Sequence, residues 1–226
     1  MSPIVQVSID LTTIEEALAV AEVAVRAGVD WLEAGTPLIL GEGVHAVRAL
    51  RERYPDKPIV ADIKTMDAGY LESEMMVKAG ATHVVVMGVA CPATIKAAVR
   101  TKQNYDVEIM GDVMGAPDKI ACAKMMEEMG VDYIIVHTGF DERNDPDWDR
   151  RTPLDDLPGI VQAVSIPCQA VGGLSVEQAI ATPGYGAPLV VIGAPLVIDN
   201  EEFKPSDSDD RLEKILREIV TKVRET

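Results

Sequence analysis

The 226 residues are 47% hydrophobic and 26% charged, apolar enough for one substantial core, and the formal net charge of -16 argues against nucleic acid or an anionic membrane as partner without a basic patch. Only 4% of residues are aromatic, so the core is aliphatic, as suits the branched interior of a parallel α/β barrel or sheet. Cys91, Cys122 and Cys168 show no CxxC spacing and cannot all pair, and no stretch holds the roughly 18 apolar residues of a membrane span; the expectation is a soluble, cytoplasmic, reduced protein.

In chain order, a strand begins near Ile4 and a helix runs from Ile14 to Arg26, opening after Thr12 or Thr13 with Glu15 and Glu16 in its first turn. Strands then begin near Trp31, Pro58, His83, Val107, Asp132, Pro167 and Leu189, with helices over Val44 to Tyr54, Tyr70 to Lys78, Asp118 to Met129 and Asp209 to Arg224. Three junctions repeat one pattern: Ala27-Gly28-Val29-Asp30, Ala79-Gly80-Ala81-Thr82 and Met129-Gly130-Val131-Asp132 each close a helix on glycine and lead into an apolar strand. Eight strands alternating with helices predict a single (β/α)8 barrel domain over residues 1–226, with a doubly wound open sheet as the alternative. The charged stretch Asp141 to Arg151 reads as a loop after strand six, and Asn200 to Ser208 as a polar segment before the last helix.

Polar residues at the carboxyl ends of barrel strands converge on one mouth. Those residues are Asp10 after strand one, Glu33 on strand two, Asp62, Lys64 and Asp67 after strand three, Asp112 after strand five and His137 after strand six. Two carboxylates there, completed by water and substrate oxygens, suit a hard cation such as Mg²⁺. No Cys/His cluster suits zinc, and GxGxxG and GxxxxGK[ST] are absent. Gly172-Gly173 and Gly193-Ala194 follow strands seven and eight, the usual phosphate position of such barrels. His45, on an outer helix, and His83, at a strand start, read as structural, and Cys91 as a small apolar filler.

The run Asp62-Ile63-Lys64-Thr65-Met66-Asp67-Ala68-Gly69 resembles the DxKxxD motif of the orotidine monophosphate decarboxylase suprafamily, in the form carried by 3-hexulose-6-phosphate synthases. Val7-Ser8-Ile9-Asp10, Glu33-Ala34-Gly35-Thr36-Pro37-Leu38-Ile39, Lys78-Ala79-Gly80-Ala81, His137-Thr138-Gly139-Phe140-Asp141-Glu142 and Val171-Gly172-Gly173 extend the resemblance over nearly the whole chain. The resemblance implies a Mg²⁺-dependent aldolase that joins D-ribulose 5-phosphate and formaldehyde reversibly through a metal-stabilised enediolate. It implies that Glu33 and Asp62 hold the metal, Lys64 neutralises charge, His137 transfers a proton and Asp10 contacts substrate or lysine. It further implies that Asp67 reaches the neighbouring subunit's site in a homodimer, and that phosphate lies on the amides around Gly172, Gly173, Gly193 and Ala194.

The competing activity is 3-keto-L-gulonate 6-phosphate decarboxylation, whose family would be expected to show His-Arg-x-Arg where His137-Thr138-Gly139-Phe140 stands, and Gly-Arg where Gly193-Ala194 stands. Both differences favour the aldolase. Orotidylate decarboxylases place a lysine at the position of Glu33. The turn Met87-Gly88-Val89-Ala90-Cys91-Pro92 is less polar than in the synthases, which could reshape the pocket for another sugar phosphate. A non-catalytic sugar-phosphate-binding barrel would have been signalled by loss of Lys64 or an acidic ligand, and all are present.

Overall fold

The computed structural model describes residues 3–147, 151–194, 196–198, 201–203 and 209–226. Residues 148–150 of the charged loop, and 200 and 204–208 of the polar segment, lie outside the described residues.

Eight parallel strands close into a barrel in sequence order. They are β1 (Ile4–Ile9), β2 (Trp31–Ala34), β3 (Ile59–Thr65), β4 (His83–Met87), β5 (Glu108–Asp112), β6 (Tyr133–His137), β7 (Cys168–Val171) and β8 (Leu189–Ala194). The seam between first and last strand runs in register from Ile4 against Leu189 to Ile9 against Ala194. The (β/α)8 expectation therefore holds, and the open sheet does not.

The expected outer helices are α1 (Ile14–Ala27), α3 (Val44–Arg53), α4 (Gly69–Ala79), α6 (Lys119–Met129) and α10 (Asp209–Arg224). Thr13 caps α1 by accepting from the Glu16 amide, and Asp118 caps α6 by accepting from that of Ala121. Gly28, Gly80 and Gly130 end α1, α4 and α6 with φ of 93°, 112° and 93°, the left-handed conformation that stops a helix and turns the chain into a strand. The composition did not single out α2 (Thr36–Glu42), α5 (Pro92–Arg100), α7 (Phe140–Asn144), α8 (Pro153–Ala163) or α9 (Val176–Ala181). Beyond the barrel, β9 (Leu196–Ile198) and β10 (Glu201–Phe203) pair antiparallel.

Alternation along the strands separates two cores. Val5, Val7, Ile9, Leu32, Ala61, Val84, Ile109, Ile134 and Ala170 point outward to the helices and join one aliphatic cluster. Trp31, Val60, Val85, Met110, Tyr133, Ile135 and Leu189 fill the barrel itself. Its amino-terminal end is closed by a polar-aromatic plug: the Trp31 and His83 rings lie 4.2 Å apart, His83 Nε2 is 2.8 Å from Glu108 Oε2, and Tyr133 donates to the same oxygen at 3.1 Å. His83 is thus structural, as its place at a strand start implied. His45 is exposed on α3 with Nδ1 3.3 Å from Arg48.

Several sequence assignments shift. Asp62 and Lys64 lie on β3 rather than after it, Asp112 and His137 are the last residues of β5 and β6, and Gly193 and Ala194 belong to the end of β8. The extension of β3 comes from an irregularity: Ala61 pairs with Val84 and Thr65 with Val86, so β3 spends four steps where β4 spends two. Cys91 is exposed rather than a core filler, because it precedes α5 at the rim, whereas Cys122 and Cys168 are buried.

Candidate active site

Lys64 occupies the bulge in β3 with φ of 46°, one of two non-glycine residues at positive φ among the described residues; the other is Ala68, at the start of α4. The left-handed region costs an ordinary residue about 1–2 kcal/mol, so surrounding contacts must hold it there. Those contacts are an ion pair with Asp62 Oδ2 and a hydrogen bond donated to Thr36 Oγ1 at 3.1 Å. Thr36 opens α2, and its hydroxyl donates to the Asp62 carbonyl at 2.8 Å while lying 3.0 Å from Asp62 Oδ2. Burial pulls the Lys64 ammonium down, but Asp62, Asp112 and Glu33 together carry its pKa above the ordinary lysine value.

Glu33 and Asp62 are buried at the same mouth. Burial, followed by the negative charges of Asp62 and Asp10, pushes the Glu33 carboxyl well above its usual range, with Lys64 and a hydrogen bond from Gln6 acting in the opposite sense. That bond runs from Gln6 Nε2 to Glu33 Oε2 at 2.5 Å, and Gln6 Oε1 accepts in turn from Gln169 Nε2 at 3.0 Å. Asp10, just past β1, is likewise raised by burial and by Asp62, against Lys64. Three carboxylates thus crowd one ammonium, which leaves the site short of positive charge.

Across the mouth, His137 Nδ1 lies 2.7 Å from Asp112 Oδ2, and Asp112 Oδ1 accepts from the Met114 amide at 2.8 Å. The buried Asp112 is pinned by these bonds and fixes the imidazole ring, leaving Nε2 as the nitrogen that can exchange a proton. Asp67 stands apart: it is exposed, and its carboxylate accepts from the Ala68 amide at 2.8 Å.

Gly172 and Gly173 form the turn after β7 with φ of 105° and 71°. A Cβ on Gly172 would sit 2.1 Å from the Thr138 carbonyl oxygen, so the turn packs directly against the end of β6. Among the described residues neither amide donates to a protein acceptor. Gly193 is exposed with open space around its Cα. Sequence reasoning placed Glu33, Asp62, Lys64, Asp10, Asp112 and His137 at the mouth correctly, and missed Thr36, Gln6 and Gln169. Thr36 was visible only as part of Glu-Ala-Gly-Thr-Pro, and the glutamines carried no charge to draw attention.

Among the described residues no three His, Cys, Asp or Glu side chains converge to cage a metal. The donors nevertheless fit a hard cation that keeps water or substrate in its other positions: Asp62 Oδ1 is buried with no hydrogen-bond partner, and Glu33 lies beside it in the same electrostatic cluster. Among the described residues no helix is long and apolar enough to cross a membrane.

Residues 3–201 match the model of the orotidine 5'-phosphate decarboxylase / HUMPS family. A curated 3-hexulose-6-phosphate synthase from Mycobacterium gastri is 37% identical over 188 residues, covering 83% of this chain and 88% of its own. A crystal structure of a 3-hexulose-6-phosphate synthase superposes with a TM-score of 0.83 at 34% identity, covering 97% of this chain and 99% of that one. A crystal structure of 3-keto-L-gulonate-6-phosphate decarboxylase from Vibrio cholerae gives 0.75 at 27% identity, covering 98% of each chain. With its DxKxxD lysine seated between Asp62 and Thr36, the chain belongs to the orotidine 5'-phosphate decarboxylase / HUMPS family, as a lyase akin to the 3-hexulose-6-phosphate synthases.

Proposed function

We propose that the chain is a Mg²⁺-dependent aldolase that condenses D-ribulose 5-phosphate with formaldehyde, reversibly, to D-arabino-hex-3-ulose 6-phosphate. The observation that carries this reading is Lys64, held in a strained backbone conformation between Asp62 and Thr36 beside Glu33, in a chain similar to named synthases. Mg²⁺ would be held by Glu33 and Asp62, and when bound it supplies positive charge against the anion that develops on the sugar's C1 and C2 oxygens.

The remaining chemistry belongs to the protein. Lys64 places a second positive charge at those oxygens, and Asp10 orients the sugar or the lysine itself. His137, steadied by Asp112, takes the C1 proton; C1 then bonds to the formaldehyde carbon, and the formaldehyde oxygen takes up a proton, so every atom is retained. The amides of Gly172, Gly173, Gly193 and Ala194 receive the phosphate.

A homodimer acting in the cytoplasm completes the proposal. Leu40 on α2, Met66 beside Asp67, Leu71 and Met75 one turn apart on α4, and Val89 after β4 are exposed apolar side chains on successive units of the barrel, and we place the interface over them. A second copy seated there would meet Asp67 at its centre and bring that carboxylate to its own mouth.

The test is incubation of purified protein with D-ribulose 5-phosphate, formaldehyde and Mg²⁺ while following formaldehyde loss, with EDTA and Lys64→Ala as controls. Loss that needs both metal and Lys64 supports the aldolase. No loss removes this substrate assignment and turns attention to CO₂ release from 3-keto-L-gulonate 6-phosphate.

A further inference from the structure

Arg143, which the sequence did not single out, lies over the glycine turn after β7. It is the fourth residue of α7, and its side chain is steered from two sides: Nε donates to the Gly139 carbonyl at 3.2 Å, and the guanidinium carbon lies 5.5 Å from the centre of the Phe140 ring. A Cβ on Gly173 would stand 2.4 Å from Arg143 Cδ and 2.9 Å from Nη1, so the arginine side chain lies directly over the Cα of Gly173. Among the described residues no carboxylate comes within ion-pair distance of Arg143, although Asp10 at the mouth acts on it electrostatically from farther away. Arg143 is exposed and keeps donors to spare, and among the described residues the amides of the Gly172–Gly173 turn over which it lies donate to no protein acceptor.

We propose that Arg143 clamps the phosphate of the substrate from above, while the Gly172–Gly173 turn receives it from below. The proposal rests on the reading of this site as one for a sugar phosphate. A chain with net charge -16 and a mouth lined by Asp10, Glu33, Asp62 and Asp112 repels a phosphate dianion unless a fixed cation offsets that field. Lys64 is engaged by Asp62, on β3. Arg143 stands beside the turn, and a guanidinium can give two parallel hydrogen bonds to phosphate oxygens.

The experiment compares wild-type protein, Arg143→Gln and Arg143→Lys for kcat and KM with D-ribulose 5-phosphate, and for the rise in melting temperature caused by inorganic phosphate alone. Because Arg143 is exposed, the variants should fold, which circular dichroism checks. The expected result is a KM raised by about 10- to 100-fold in Arg143→Gln with kcat changed by less than about twofold, partial recovery in Arg143→Lys, and a phosphate-induced shift lost in Arg143→Gln. A KM and a phosphate shift that are the same in Arg143→Gln and wild type overturn the proposal. If wild type turns over no ribulose phosphate, the substrate reading fails by itself, and the inorganic phosphate shift still decides for or against Arg143.

Discussion

His83 makes the folded state sensitive to mild acid. Its ring is buried against Trp31, with Glu108, Asp132 and Tyr133 around it. Burial depresses its pKa below the ordinary histidine value, against the opposing attraction of Glu108 and Asp132. In the unfolded chain the same ring titrates near about 6.5. Between those two values the unfolded state binds a proton that the folded state refuses. The contribution is therefore complete above about pH 6.5 and is lost as pH falls toward the folded pKa, with a slope that cannot exceed about 1.4 kcal/mol per pH unit for one proton. Urea unfolding at about pH 7.5 and about pH 5.5 should show wild type losing more stability than His83→Gln over that interval. Asp10 and Glu33, whose raised carboxyls favour the folded state toward acid, are common to both proteins and cancel in the comparison. Equal losses would show that attraction to Glu108 cancels burial, and a wild type that gains on the variant in acid would show that it outweighs burial; either would refute the argument.

Gln6→Leu removes the donor that favours ionised Glu33 and leaves the buried Gln169 amide without its acceptor. Mg²⁺ affinity should fall by about tenfold or more and stability by about 1–3 kcal/mol, read by calorimetric titration and urea unfolding; unchanged affinity would separate Glu33 from the metal. Gly172→Ala drives a methyl into the Thr138 carbonyl at a φ of 105°, costing at least about 1–2 kcal/mol, and should raise KM for the sugar phosphate more than it lowers kcat. Leu71→Asp places a charge in the apolar surface and should shift sedimentation from dimer toward monomer; an unaltered sedimentation profile would move the interface elsewhere.

The barrel was legible because its punctuation is local. Glycines at 28, 80 and 130, and the caps at Thr13 and Asp118, declare helix ends within a few residues of sequence. Carboxylates and a lysine next to buried strands identified the mouth by the same logic. What escaped depends on tertiary contact: α2 begins in a short Pro-Leu-Ile-Leu run without helical period, the left-handed turn at Lys64 arises only when β3 is registered against β4, and Thr36 acquires its bonds through that turn. Arg143 looked like one charge among many in an acidic stretch, and only the bare Cα of Gly173 beneath it sets it apart.

The seam between β1 and β8 joins two segments separated by nearly the whole described chain, Ile4 lying against Leu189. Closing so large a loop is entropically slow, and until it closes β1 presents an unpaired edge on one side. The helix α10 then locks the closure, burying Leu212, Leu216, Ile219, Val220 and Val223, while Arg217 donates to the Arg26 carbonyl at 2.6 Å and Arg224 to that of Gly28 at 3.0 Å. A barrel with seven strands assembled and the eighth still to arrive would present open edges to its neighbours, so refolding yield is expected to rise on dilution, which light scattering during refolding checks.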